Sequence, residues 1–135
     1  MVYGLLRDGA TWPVWSPIDA FELLQEGPDG GESLGAIRLF HTGRHRSREE
    51  VIALEPNRRF GYALLAGLPL RGYRAFIDLD QHDGGTAIHW HSSFRAKVPG
   101  TGWIYRRALG SFIQRCVDGL AAYAVQSEGS SRLSA

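Results

Sequence analysis

His89 and His91 stand two residues apart, the spacing at which an extended strand turns both imidazoles to one side, where they could share a metal ion or move a proton. No third ligand stands out in the sequence: Cys116 falls on an apolar helical stripe, His82 in a turn, and His41 and His45 flank Gly43. The pair is therefore expected to face solvent, with no metal and no cofactor. Acid–base chemistry would fall to Arg38, Tyr62, Tyr73 and His91, which could fold a poly-carbonyl chain against aromatic walls while one of them moves a proton. Each has a plainer reading: Arg38 pairs with Glu50 across two strands, and a buried tyrosine hydroxyl needs only a partner. There is no Ser-His-Asp signature, no Gly-x-Ser-x-Gly elbow and no phosphate loop, because Gly30-Gly31 and Gly84-Gly85 read as hairpin turns.

Trp12, Trp15, Trp90 and Trp103, with Tyr62, Tyr73, Phe94 and Tyr105, form a large aromatic supply. Trp103 is expected to anchor a helix on a sheet. Trp15 and Trp90 suit a pocket mouth, with an apolar body and an N–H handle.

The elements that must position these groups follow from periodicity. Val2 to Leu6 reads as helix up to Asp8-Gly9, and Thr11-Trp12-Pro13 caps a second helical turn. Strand patterns cover Phe21–Gln25, Ser33–Thr42, Arg48–Leu54, Arg59–Leu65, Tyr73–Leu79 and Thr86–Arg95. Their short connections imply antiparallel order. Tyr73, Ala75, Ile77 and Leu79 alternate with Arg74 and Asp78, while Ile88, Trp90 and Phe94 oppose His89, His91 and Arg95, so one face is apolar and one wet.

Such a sheet needs a cover, and a helix from Thr101 to about Gln126 supplies it. Tyr105, Leu109, Phe112, Ile113, Cys116, Val117, Leu120 and Ala124 recur at three- and four-residue spacing after the breaker Val98-Pro99-Gly100, with Thr101 as N-cap. Gly110 and Gly119 each cost about 1 kcal/mol relative to alanine, so packing must hold this helix, and close approach of a strand would account for them. The Ser-rich stretch 127–135 is expected to be a disordered tail after one domain, 1–126.

The chain of 135 residues carries 15 basic and 14 acidic side chains, a formal charge of +1, so no global field draws it to nucleic acid or an anionic membrane. Only Lys97 among the basic residues is lysine, and the Arg58-Arg59 and Arg106-Arg107 pairs read as solvated faces. The lone Cys116 fits a reducing compartment. Without a signal peptide or an apolar run of membrane-spanning length, stable membrane insertion is not expected and a cytoplasmic location is.

Trp-Pro-x-Trp-Ser-Pro at 12–17, Gly35-Ala36-Ile37-Arg38, Glu50-Val51 with Glu55-Pro56, Arg59-Phe60-Gly61-Tyr62, Gly84-Gly85-Thr86 leading to His89-Trp90, and Pro-Gly-Thr-Gly-Trp at 99–103 together resemble the START-like (SRPBCC) superfamily. The similarity is greatest to its bacterial polyketide cyclase/dehydrase-like branch. It implies an α+β helix-grip fold, a bent antiparallel sheet holding a long C-terminal helix over a hydrophobic cavity. That cavity would be lined by Trp15, Tyr62, Tyr73, Ile77, Trp90, Phe94, Tyr105, Leu109 and Phe112 and would take an apolar, lipid-like or aromatic ligand. Family members normally begin with a strand before the first helix that this sequence does not include: either the native start lies upstream and supplies it, or the unpaired sheet edge is filled by a partner, a second copy in a homodimer or another protein. Three functions are thus open: a hydrophobic-ligand binder, an aromatase/cyclase or dehydratase, and an interaction module.

Overall fold

The computed structural model describes residues 2–68, 70–82, 85–96 and 100–134; Pro69, Asp83, Gly84, Lys97, Val98 and Pro99, several of them expected breakers, lie outside these. Helix α1 (Val2–Arg7), a 3₁₀ turn (Gly9–Thr11) and helix α2 (Trp12–Trp15) open the chain. Asp8 starts the 3₁₀ turn by accepting the Ala10 N–H, and Pro13 occupies the first turn of α2, where its missing N–H removes no helical bond.

Six strands follow: β1 (Ala20–Gln25), β2 (Ile37–Thr42), β3 (His45–Glu55), β4 (Arg59–Ala66), β5 (Leu70–His82) and β6 (Gly85–Ala96). They form one antiparallel meander in chain order. Register shifts leave an extra unpaired residue in each of β1, β3, β4 and β5, and each such bulge bends and twists a strand, which is how a meander becomes a curved sheet. β2 begins at Ile37 rather than Ser33, because Gly35 takes φ +87° and Ala36 closes a turn onto the Ser33 carbonyl. His82 ends β5, opposite Gly85, rather than lying in the turn.

The expected alternation is present. Tyr73, Ala75, Ile77 and Leu79 are buried with Phe60, Tyr62 and Trp90, while Arg74 and His89 face out. The cover is shared. Helix α3 (Gly102–Ser134) contributes Cys116, Leu120 and Ala124, and α1 and α2 contribute Leu6, Trp12 and Trp15. The backbone of α3 continues to Ser134, so the segment expected as a disordered tail is helical up to that residue; no proline interrupts 127–134, and extending an existing helix is far easier than starting one.

Candidate functional site

Burial along α3 falls into two halves. Cys116 and Leu120 are fully shielded, whereas Tyr105, Leu109, Phe112 and Ile113 are only half-buried. The two glycines explain the difference. A Cβ on Gly119 would drive into the Trp15 carbonyl oxygen, so there α3 rests against the end of α2, not against a strand as expected. Around Gly110 a Cβ would meet nothing within 4 Å. The second half of the helix is clamped and the first half stands off β6.

The space so opened is a groove of about 720 Å³. Ile88, Trp90 and Phe94 of β6 form one apolar wall, and Leu109, Ile113 and Val117 of α3 form the other. Ser92, Ser93, His89, Arg106 and Gln114 supply its polar groups. Among the residues expected to line a cavity, Trp90, Phe94 and Leu109 do so. Trp15, Tyr62, Tyr73 and Ile77 are packed in the core, 5% exposed or less, and Tyr105 and Phe112 sit half-buried on α3 outside the lining. Trp103 does not anchor the helix: it is 64% exposed beside Ile104, on the first turn of the half that stands away.

Behind the groove the aromatic rings are in continuous contact. Phe94 lies 6.2 Å from Tyr73, Tyr73 6.2 Å from Tyr62, Tyr62 6.4 Å from Trp90 and Trp90 5.6 Å from Trp12, an edge-on arrangement at the last two contacts. The indole N–H of Trp90 is buried with no partner among the described residues.

This wall leads to a polar cluster under α1. Arg38 is wholly buried, its guanidinium stacked on Trp12, Phe40 and Phe60, and its Nη1 donates to the Leu6 and Arg7 carbonyls and to Glu32. These carbonyls belong to the last turn of α1, where that of Leu6 also accepts the Trp12 indole N–H, so the cation helps to cap a helix C-terminus. Its Nε and Nη2 are buried without partners among the described residues. Burial pulls the Arg38 pKa down, and Glu49 and Glu32 oppose that. The cross-strand partner of Arg38 is Glu49; Glu50 sits opposite Ile37. Counting outward from the Gly43 turn, 42 against 45, reaches 38 against 49, and that count is the signal for Glu49 in the sequence.

Desolvation pushes the Glu49 carboxyl up to about 7, less far than it would without Arg38. Burial also drives up the Tyr62 hydroxyl, and raises Tyr73 and Cys116 to about 12, each with Glu49 adding to the rise. Glu49, Tyr62, Tyr73 and Cys116 therefore form one electrostatically connected group behind the groove. None of the four is part of its lining.

His91 is elsewhere, on the outer face of the sheet. Its Nε2 lies 2.7 Å from Asp78 Oδ2, and Arg59 Nε donates to Asp78 Oδ1 at 2.6 Å. These contacts with Arg59 and His91 hold the Asp78 carboxyl below its ordinary range. Asp78 stands directly opposite His89 in the β5/β6 register, so the His-x-His pair does have a third potential ligand, supplied by the neighbouring strand rather than by its own.

The family model described as "Polyketide cyclase / dehydrase and lipid transport" matches residues 1–125. None of the curated proteins compared with the chain matches it. Solved structures do. A START superfamily protein from Mycobacterium smegmatis superposes with TM-score 0.78 at 15% identity, over 93% of this chain and 88% of that one. The protein XoxI from Bacillus cereus gives 0.74 at 16% identity, over 94% and 87%, and Ara h 8.0201 gives 0.66 at 16% identity, over 93% and 88%. At these identities the likeness establishes the helix-grip fold.

Proposed function

The chain belongs to the polyketide cyclase/dehydrase and lipid transport family, and on that premise we propose that it binds an apolar, lipid-like or aromatic small molecule in the groove between β6 and α3. The observation that carries this reading is the composition of the walls: aliphatic and aromatic side chains from both elements face a space within the usual range for a small-molecule site, roughly 300–1,000 Å³. Arg106, Gln114 and Ser92 offer a polar end of the ligand a place to hydrogen-bond. No helix among the described residues is long and apolar enough to cross a membrane. An environment-sensitive apolar dye tests this. It should bind saturably, one per chain, and be displaced by acyl or polycyclic aromatic compounds; displacement by neither class would contradict the proposal.

A second reading, a cyclase or dehydratase, draws support from Glu49, whose carboxyl near neutrality beside the Tyr62 and Tyr73 hydroxyls is suited to general acid–base work. It ranks below carriage because these groups lie behind the aromatic wall. Turnover of a poly-carbonyl substrate that is abolished by Glu49→Gln would reverse that order. The edge strand β6, 12 residues long, is also proposed as the pairing surface of a homodimer. Light scattering across micromolar concentrations should then give the dimer mass, and a constant monomer mass would refute pairing.

A further inference from the structure

We propose that Asp78, His89 and His91 form a binding site for a divalent transition-metal ion of the zinc type, on the face of the sheet opposite the core. Their ligand atoms all lie within 4.8 Å of one another. An ion bound at about 2.1 Å to each would hold its ligands roughly 3–3.5 Å apart, a closure within reach of side-chain rotation. Asp78 Oδ2 and His91 Nε2 are already at 2.7 Å.

The site is held in shape by groups that are not ligands. Arg59 engages Asp78 Oδ1 and leaves Oδ2 turned toward the imidazoles. The His91 ring stacks on Phe76 at 5.9 Å with a 30° interplanar angle, and the Arg59 guanidinium lies over the same Phe76 ring at 5.1 Å. This is the outer support that fixes a ligating carboxylate and imidazole in orientation. All three ligands stand on paired strands, which position them more firmly than a loop would.

Donor chemistry selects the ion. Two imidazoles and one carboxylate suit zinc or its first-row neighbours, whereas calcium and magnesium need oxygen-rich shells. Three protein ligands leave coordination positions open to water or to an added anion. Arg59, itself 4.0 Å from Glu55, offsets part of the Asp78 charge, so the carboxylate would attract the ion less strongly than an unpaired one. His89 also lines the end of the groove, so the ion would sit at the groove rim.

The test is titration of the untagged full chain with Zn²⁺ by calorimetry, and with Co²⁺ by visible absorption. One ion per chain is expected, with d–d bands of a four- or five-coordinate site. His89→Ala, His91→Ala and Asp78→Asn should each weaken binding at least about tenfold, while His45→Ala, on the distant β2/β3 turn, should leave it unchanged. His89 is exposed, so its variant keeps the fold, and the metal-free melting curve confirms that for each variant. No binding at millimolar Zn²⁺, an affinity indifferent to His89→Ala and His91→Ala, or a loss that follows His45→Ala would each overturn the proposal.

Discussion

Arg38 Nη1 lies 3.2 Å from Glu32 Oε1, and the same carboxylate oxygen accepts the Gly9 N–H at 2.9 Å, so one acid joins the buried cation to the turn between α1 and α2. Replacing Glu32 with Gln keeps the shape and removes the charge, leaving a shielded guanidinium with only Glu49 as a possible counter-ion. Breaking a buried pair on one side is strongly unfavourable. Urea denaturation should show a loss of about 3 kcal/mol, and the Glu49 carboxyl should ionise at a lower pH than in the parent chain.

Glu49 itself makes stability depend on pH. Its carboxyl titrates at about 7 in the folded chain, against an ordinary value of 4.5. Between those limits the unfolded chain has lost this proton and the folded chain keeps it, so stability falls as pH rises through the window and levels off above it. A drop of about 1–3 kcal/mol between about pH 5 and about pH 8 is expected from this group, the range allowing for its residual contact with solvent. The difference between the parent chain and Glu49→Gln isolates it. Identical pH dependence in the two would place Glu49 in water.

Gly110 and Gly119 occupy equivalent positions by propensity but not by packing. Gly110→Ala adds a methyl to open space and should raise the melting temperature, for a gain of about 1 kcal/mol. Gly119→Ala must push the Trp15 carbonyl aside and should destabilise by more than that gain. Equal effects of the two substitutions would contradict the clamped and free halves of α3.

How far these relationships can be read from residues alone depends on distance along the chain. The strand alternation around Tyr73–Leu79, the start of the long helix and the apolar stripe through Leu109 and Cys116 are local, and periodicity carries them to within a few residues of the observed bounds, whereas the end of α3 at Ser134 lies beyond the apolar stripe that marks the helix and is not signalled by it. Trp103 is misread because helical spacing says which side it occupies, not whether the helix reaches the sheet there; that is decided by Gly119 against Trp15, a contact across about a hundred residues. Arg38 with Glu49, and Asp78 with the two histidines, are register facts. A one-residue slip exchanges Glu49 for Glu50 and moves the carboxylate to the opposite face. The groove is hidden for a related reason, since its volume follows from how far α3 stands off β6.

Leu109 stands midway along the α3 wall of the groove and is the position from which the central claim can be tested. Leu109→Trp should fill the groove while keeping the fold, because the side chain is half-buried and borders the open space around Gly110. Native mass spectrometry of the parent chain, exposed to a mixture of acyl and aromatic compounds, should show a non-covalent apolar adduct that is missing from Leu109→Trp. An adduct retained unchanged in the variant, or no adduct on the parent chain, would contradict ligand binding between β6 and α3.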